Sequence, residues 1–122
     1  MAEDPRTREV VLAQRMVVLS NLMKVDGEAS EVEVSYLNAM LDGSGLPTEA
    51  RDLLRDAFTE PQQHPVDFDV FRQGDGDVRS LVTDLVVLAS RDGAIHPAKR
   101  VYIRLVARRV GFPVDEVDAM TR

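Results

Sequence analysis

Val25-Asp26-Gly27-Glu28-Ala29-Ser30-Glu31-Val32-Glu33 decides the fold, because the chain makes this stretch twice. The second version, Arg91-Asp92-Gly93-Ala94-Ile95-His96-Pro97-Ala98-Lys99, follows 66 residues later. The register holds without a gap: Leu19 aligns with Leu85, Leu22 with Leu88, Asp26 with Asp92 and Gly27 with Gly93. Beyond the turn, Tyr36 aligns with Tyr102, Gly45 with Gly111 and Pro47 with Pro113. Each copy reads as an apolar helix, an Asp-Gly turn, a short spacer, a second helix and a Gly-x-Pro stop. A unit of this size cannot bury its apolar face alone, so the two copies are expected to pack together.

Working outward, Asp4-Pro5 marks a helix start, with Asp as N-cap and Pro at the first helical position. Apolar residues from Val10 to Met23 cover a broad arc, predicting a largely buried helix over 5–24. Ser30-x-x-Glu33 is a capping-box pattern. The helix behind it should run to Leu41, with Leu37, Met40 and Leu41 inward. Gly43-Ser44-Gly45-Leu46-Pro47 breaks it, and Thr48 is expected to cap a helix over 49–58 with Leu53, Leu54 and Phe58 inward.

Residues 59–77 are punctuated by Pro61, Pro65, Gly74 and Gly76, with Phe68 and Phe71 as anchors for a turn or two of helix. Val78, Leu81, Val82, Leu85, Leu88 and Ala89 then follow helical spacing and predict a core helix over 77–90. His96 as N-cap and Pro97 as first residue open the next helix, which reaches Val110. Its expected inward residues are Ala98, Val101, Tyr102, Leu105 and Val106. Gly111-Phe112-Pro113 stops it, and residues 114–120 form a last short helix. No stretch alternates with period two.

The expected fold is all-α: a compact bundle of two pseudo-symmetric helix-turn-helix repeats, about six or seven helices in all. The whole of 1–122 is expected to form one domain, with repeat one at about 8–58, a linker at 59–77 and repeat two at about 78–120.

Composition narrows the function. The chain has no cysteine, which removes disulfides, zinc–thiolate sites and thiol catalysis. A net charge of −6 argues against general nucleic-acid binding, where phosphate neutralisation supplies most of the affinity. The first residues are charged, and the longest apolar run, Leu85-Val86-Val87-Leu88-Ala89, is far too short to span a bilayer. A cytoplasmic location is expected. No Gly-rich phosphate loop precedes a helix and no Ser-His-Asp spacing stands out, so the chain is read as not an enzyme and no small-molecule substrate is assigned.

With its two Asp-Gly turns, the chain resembles the TerB-like family, the domain of tellurite-resistance operons. A related domain occurs in membrane-anchored J-domain co-chaperones. The family's marker is an Asp-Gly turn followed, seven residues after the Asp, by a Glu. Asp26-Gly27 with Glu33 matches it fully; Asp92-Gly93 matches the turn alone, and Ile95-His96-Pro97 resembles the residues after the family's second turn. The resemblance spans about residues 8–120. It implies a small helical module without catalysis, linked to stress responses, with a protein partner, in some cases a membrane-associated complex. It also implies a divalent cation, calcium or magnesium, at the acidic turns, with Asp26, Glu33 and Asp92 as ligands. Lys99 stands where the fourth acid belongs, a change of two charge units against a cation.

On chemistry alone, Asp26, Glu28, Glu31, Glu33 and Asp92 are hard oxygen ligands. They do not form an EF-hand, since Leu37 falls at its twelfth position. The same residues have a structural use, as helix stops and caps. A third reading follows from the duplication: Lys99 and Glu33 are equivalent positions, so Lys99 could reach the opposite turn and substitute for the cation. His96 reads as a cap beside Pro97. His64-Pro65 is followed by Val and so is not the His-Pro-Asp signature of a J-domain. Asp75-Gly76-Asp77 reads as a turn and N-cap. Arg100, Arg104 and Arg108 recur every four residues on one helix face, with Lys99, Arg109 and Arg91 nearby. That stripe is either a solvated face of weak ion pairs or a docking surface for an acidic partner or anionic headgroups.

Overall fold

The structure is a computed structural model that describes residues 5–25, 30–71, 75–91 and 93–122. Among them there are six α-helices and no strand: α1 Pro5–Lys24, α2 Glu31–Asp42, α3 Thr48–Thr59, α4 Asp75–Ala89, α5 Pro97–Val110 and α6 Val114–Met120. One turn of 3-10 helix, Phe68–Phe71, lies between α3 and α4. The expected all-helical bundle is what forms. The expected N-cap at Asp4 and the helix stop at Asp26-Gly27 lie outside the described residues.

The duplication is visible in three dimensions. α2 and α5 begin at equivalent positions, as do α3 and α6. Glu33, Leu37 and Leu41 are buried in α2, and their equivalents Lys99, Ile103 and Ala107 are buried in α5. Gly45 and Gly111 both take left-handed backbone, with φ of 77° and 80°. A side chain there would be strained, so glycine is what lets each second helix turn sharply into the third.

α1 is the axis of the bundle. It packs against α2, α3, α4, α5 and the 3-10 helix. Met16, Val18, Leu19, Leu22 and Met23 are fully buried, and Ser20 and Asn21 are buried with them. Only a helix covered on most sides tolerates so wide an apolar arc. α4 adds Leu81, Val82, Leu85 and Leu88, all fully buried.

Three expected core residues lie outside. Leu53 is 72% exposed, Val101 65% and Leu105 49%. The reason is angular: neighbouring residues differ by about 100° around a helix. In α3 the inward line is Ala50, Leu54 and Phe58, four residues apart, and Leu53 falls beside it. In α5 the inward line is Lys99, Tyr102, Ile103, Val106, Ala107 and Val110. A lysine therefore heads a face where only apolar residues were sought. The cap of α3 also differs. Pro47 is its N-cap, and Thr48 is the first helical residue, accepting a hydrogen bond from the Arg51 side chain.

The linker is fastened by polar side chains of α1 spaced along one face. Gln14 accepts from the backbone N–H of Asp67 at 2.9 Å. Asn21 brackets His64, donating to its carbonyl and accepting from its N–H, each at 2.8 Å. Lys24 donates to the carbonyls of Ala57 and Gln62. Burial pulls its pKa down, and the neighbouring Glu60 works against that.

Leu54→Ala is expected to cost about 2–5 kcal/mol, the range for emptying a buried leucine site. Leu53→Ala is expected to stay within about 0.5 kcal/mol. Urea unfolding of the two variants measures the difference.

Candidate functional site

Besides the packing of α1 on α4 and α5, the two repeats are joined by a side-chain contact between the starts of α2 and α5. Ser30 caps α2: its hydroxyl accepts from the Glu33 N–H at 3.1 Å, and Glu33 Oε1 accepts from the Ser30 N–H at 3.2 Å. This is the capping box expected from the spacing. His96 caps α5, its Nδ1 accepting from the Ala98 N–H at 3.0 Å, with Pro97 next. Glu33 and Lys99 both occupy the third helical position, so their side chains leave equivalent places on the two helices.

They leave toward each other. Lys99 Nζ donates to Glu33 Oε2 at 2.8 Å, and the side chains are 4% and 1% exposed. The carboxylate is thus divided: Oε1 caps its own helix, and Oε2 holds the ammonium of the other repeat. α5 has no acidic residue in its first turn. Glu33 balances the positive charge that Lys99 places there, while its own place in the first turn of α2 is one that a helix N-terminus favours. Nearby, the Arg91 guanidinium lies over the Tyr36 ring, 4.2 Å from its centroid, a second link between the halves. Tyr102, equivalent to Tyr36, is buried, and burial pushes its pKa up to about 12.

Of the residues expected to hold a divalent cation, Asp26 and Asp92 lie outside the described residues, and Glu28 with them. Glu33 lies among the described residues. Both oxygens of Glu33 are taken by hydrogen-bond donors, and an ammonium stands beside the carboxylate. Among the described residues no group of three or more His, Asp or Glu side chains could hold a metal ion.

The basic residues separate into different roles. Lys99 is buried and does not belong to the surface stripe. Arg100 donates to the Thr121 carbonyl at 2.7 Å, and Arg104 pairs with Asp118 of α6 at 3.3 Å. Arg109 covers the Phe68 ring at 5.7 Å. Arg108 is exposed. Among these arginines lie the exposed Val101 and Leu105, which the sequence reading had placed in the core. Their spacing with Arg104 and Arg108 was the signal that could have found them.

Comparison with known proteins places the chain in a family. The family described as "Tellurite resistance protein TerB" matches residues 13–122. The chain belongs to this family. It is similar to proteins named "Co-chaperone protein DjlA". The one from Vibrio parahaemolyticus is 27% identical over 109 residues, covering 83% of this chain and 38% of the relative. That of Vibrio vulnificus is 24% identical over 119 residues, covering 91% and 42%. That of Aliivibrio fischeri is 26% identical over 116 residues, covering 86% and 40%. The chain therefore spans only about two fifths of the length of these relatives. No solved structure gives a significant match. No described helix is long and apolar enough to cross a membrane.

Removing the ammonium leaves a buried carboxylate without its counter-charge. Lys99→Met is expected to destabilise the fold by about 3–5 kcal/mol, read from the midpoint and slope of urea unfolding.

Proposed function

We propose that this TerB-family domain is a non-enzymatic interaction module, engaging a protein partner through the outer face of α5 in a stress response of the tellurite-resistance type. The observation that carries this reading is the exposure of Val101 and Leu105, at 65% and 49%, between arginines on one helix face. Apolar side chains displayed with fixed cations suit recognition of an acidic surface, since charge orients the encounter and apolar contact holds it. The relatives' name, co-chaperone, fits a module that works by contact with other proteins. The two imidazoles have structural uses: His96 caps α5, and His64 lies 3.0 Å from Glu60. The partner is expected in a cytoplasmic or membrane-associated complex. A photo-crosslinking residue at position 105, in the native cell, should give discrete adducts. Adding Arg104→Glu and Arg108→Glu should abolish them, together with tolerance to tellurite. Adducts that persist unchanged would end the proposal.

The second reading concerns the cation. In this chain the Lys99 ammonium takes the position that a divalent ion would need beside Glu33, and the domain is held together without one. The buried 2.8 Å pair between equivalent positions supports it. Thermal melts of the native chain should be the same in EDTA, calcium and magnesium. Lys99→Glu sets two carboxylates face to face and should make stability depend on a divalent ion; at 100 times its dissociation constant such a ligand adds ~2.7 kcal/mol. A native chain that gains stability with calcium or magnesium would restore the metal-sensor reading based on Asp26, Glu33 and Asp92.

A further inference from the structure

The outer face of α5 carries Val101, Arg104, Leu105 and Arg108, spaced i, i+3, i+4, i+7. Residues at this spacing form one stripe along a helix. Arg100 and Arg109 flank the stripe and are turned to the chain's own α6 carbonyl and to Phe68. The central residues point away from the bundle. Arg104 keeps 42% of its side chain exposed despite its contact with Asp118.

A stripe of the same spacing and opposite charge runs along α3: Glu49, Asp52, Leu53 and Asp56. All four are exposed, and Leu53 is the most exposed large apolar residue described, at 72%. The two stripes correspond at three of their four positions, Glu49 falling against Val101 at the first. Asp52 matches Arg104, Leu53 matches Leu105, and Asp56 matches Arg108. They lie on different helices with different neighbours. α3 packs on α1 and α2, whereas α5 packs on α1, α4, α6 and the 3-10 helix. Within the chain, α6 already sets one acid, Asp118, against Arg104.

We infer that the α5 stripe docks on the α3 stripe of a second copy of this chain, head to tail, with Leu105 against Leu53 and Arg104 and Arg108 against Asp52 and Asp56. The inference rests on the reading of α5 as an interaction face and names its occupant. Such a contact is heterologous, so every bound copy leaves one stripe of each kind open and association does not close at two. A single helix pair lies below the size of a standard stable interface. Association is therefore weak, rises with concentration and falls with salt.

The full chain is followed by sedimentation velocity over increasing concentration. The average mass should rise past twice the monomer and fall back at high salt. Leu105→Glu spoils only the α5 stripe and Leu53→Arg only the α3 stripe; both sites are on the surface, so both variants should fold and each alone should remain monomeric. Mixed, they retain one good stripe each and should form a one-to-one dimer that grows no further. A native chain that stays monomeric, a single variant that assembles like the native chain, or a mixture that stays monomeric would each overturn the inference. A monomeric chain that binds vesicles of anionic lipid, or whose position 105 crosslinks only to a different protein, would overturn it too. Crosslinking to a different protein would leave the broader interaction reading standing, so the two fail separately.

Discussion

A buried carboxylate and a buried ammonium, contributed by equivalent positions of a doubled sequence, tie the two halves of this bundle together. Glu33 and Lys99 are both nearly inaccessible, so neither can be solvated by water if the other moves away. A buried charge without its partner costs several kcal/mol, although an intact pair adds little over a well-packed apolar one. The pair thus works as a registration device. It penalises arrangements that carry the start of α2 away from the start of α5. Glu33 can serve both ends because its two oxygens are divided between the capping box and the ammonium.

The same duplication explains where the halves part company. Asn21 in α1 and Val87 in α4 are equivalent, yet Asn21 is 3% exposed and Val87 38%. The linker makes the difference. It returns across α1, where its backbone needs donors and acceptors, and Asn21 supplies one of each to His64. A valine could not satisfy those groups, and buried backbone left unpaired is costly. α1 thereby becomes the covered helix and α4 the one with an open edge, although Leu19 and Leu22 of α1 and their equivalents Leu85 and Leu88 of α4 are all fully buried.

Much of this was readable in the amino-acid order. The offset of the copies, the capping box at Ser30, the His96-Pro97 start of α5 and the core stripe of α4 rest on local rules, and they formed as read. Lys99 meeting Glu33 was reachable too, because equivalent positions in a pseudo-symmetric pair face each other near its axis. Leu53, Val101 and Leu105 were misplaced because hydrophobicity was taken as evidence of burial. Apolar atoms make up much of any protein surface, so that inference runs reliably in one direction only. The path of the linker was not legible at all. It depends on polar side chains of α1 answering particular backbone groups, and no periodicity reports that.

Comparing the outer faces of the two second helices shows what the fold does and does not require. Inside, Leu37 matches Ile103 and Leu41 matches Ala107, all buried, so packing accepts only apolar residues there. Outside, Val101, Arg104, Leu105 and Arg108 of α5 stand opposite Ser35, Asn38, Ala39 and Asp42 of α2. The first-half helix forms with a small, polar outer face, so the fold does not demand bulky apolar and basic groups at those positions. Val101 and Leu105 are not held in place by burial, and water gains nothing from meeting them. Arg104 has an ion pair with Asp118 of α6, but the two exposed apolar side chains that distinguish α5 from its own duplicate are not explained by burial. That is the reason to look for their use in contact with another molecule.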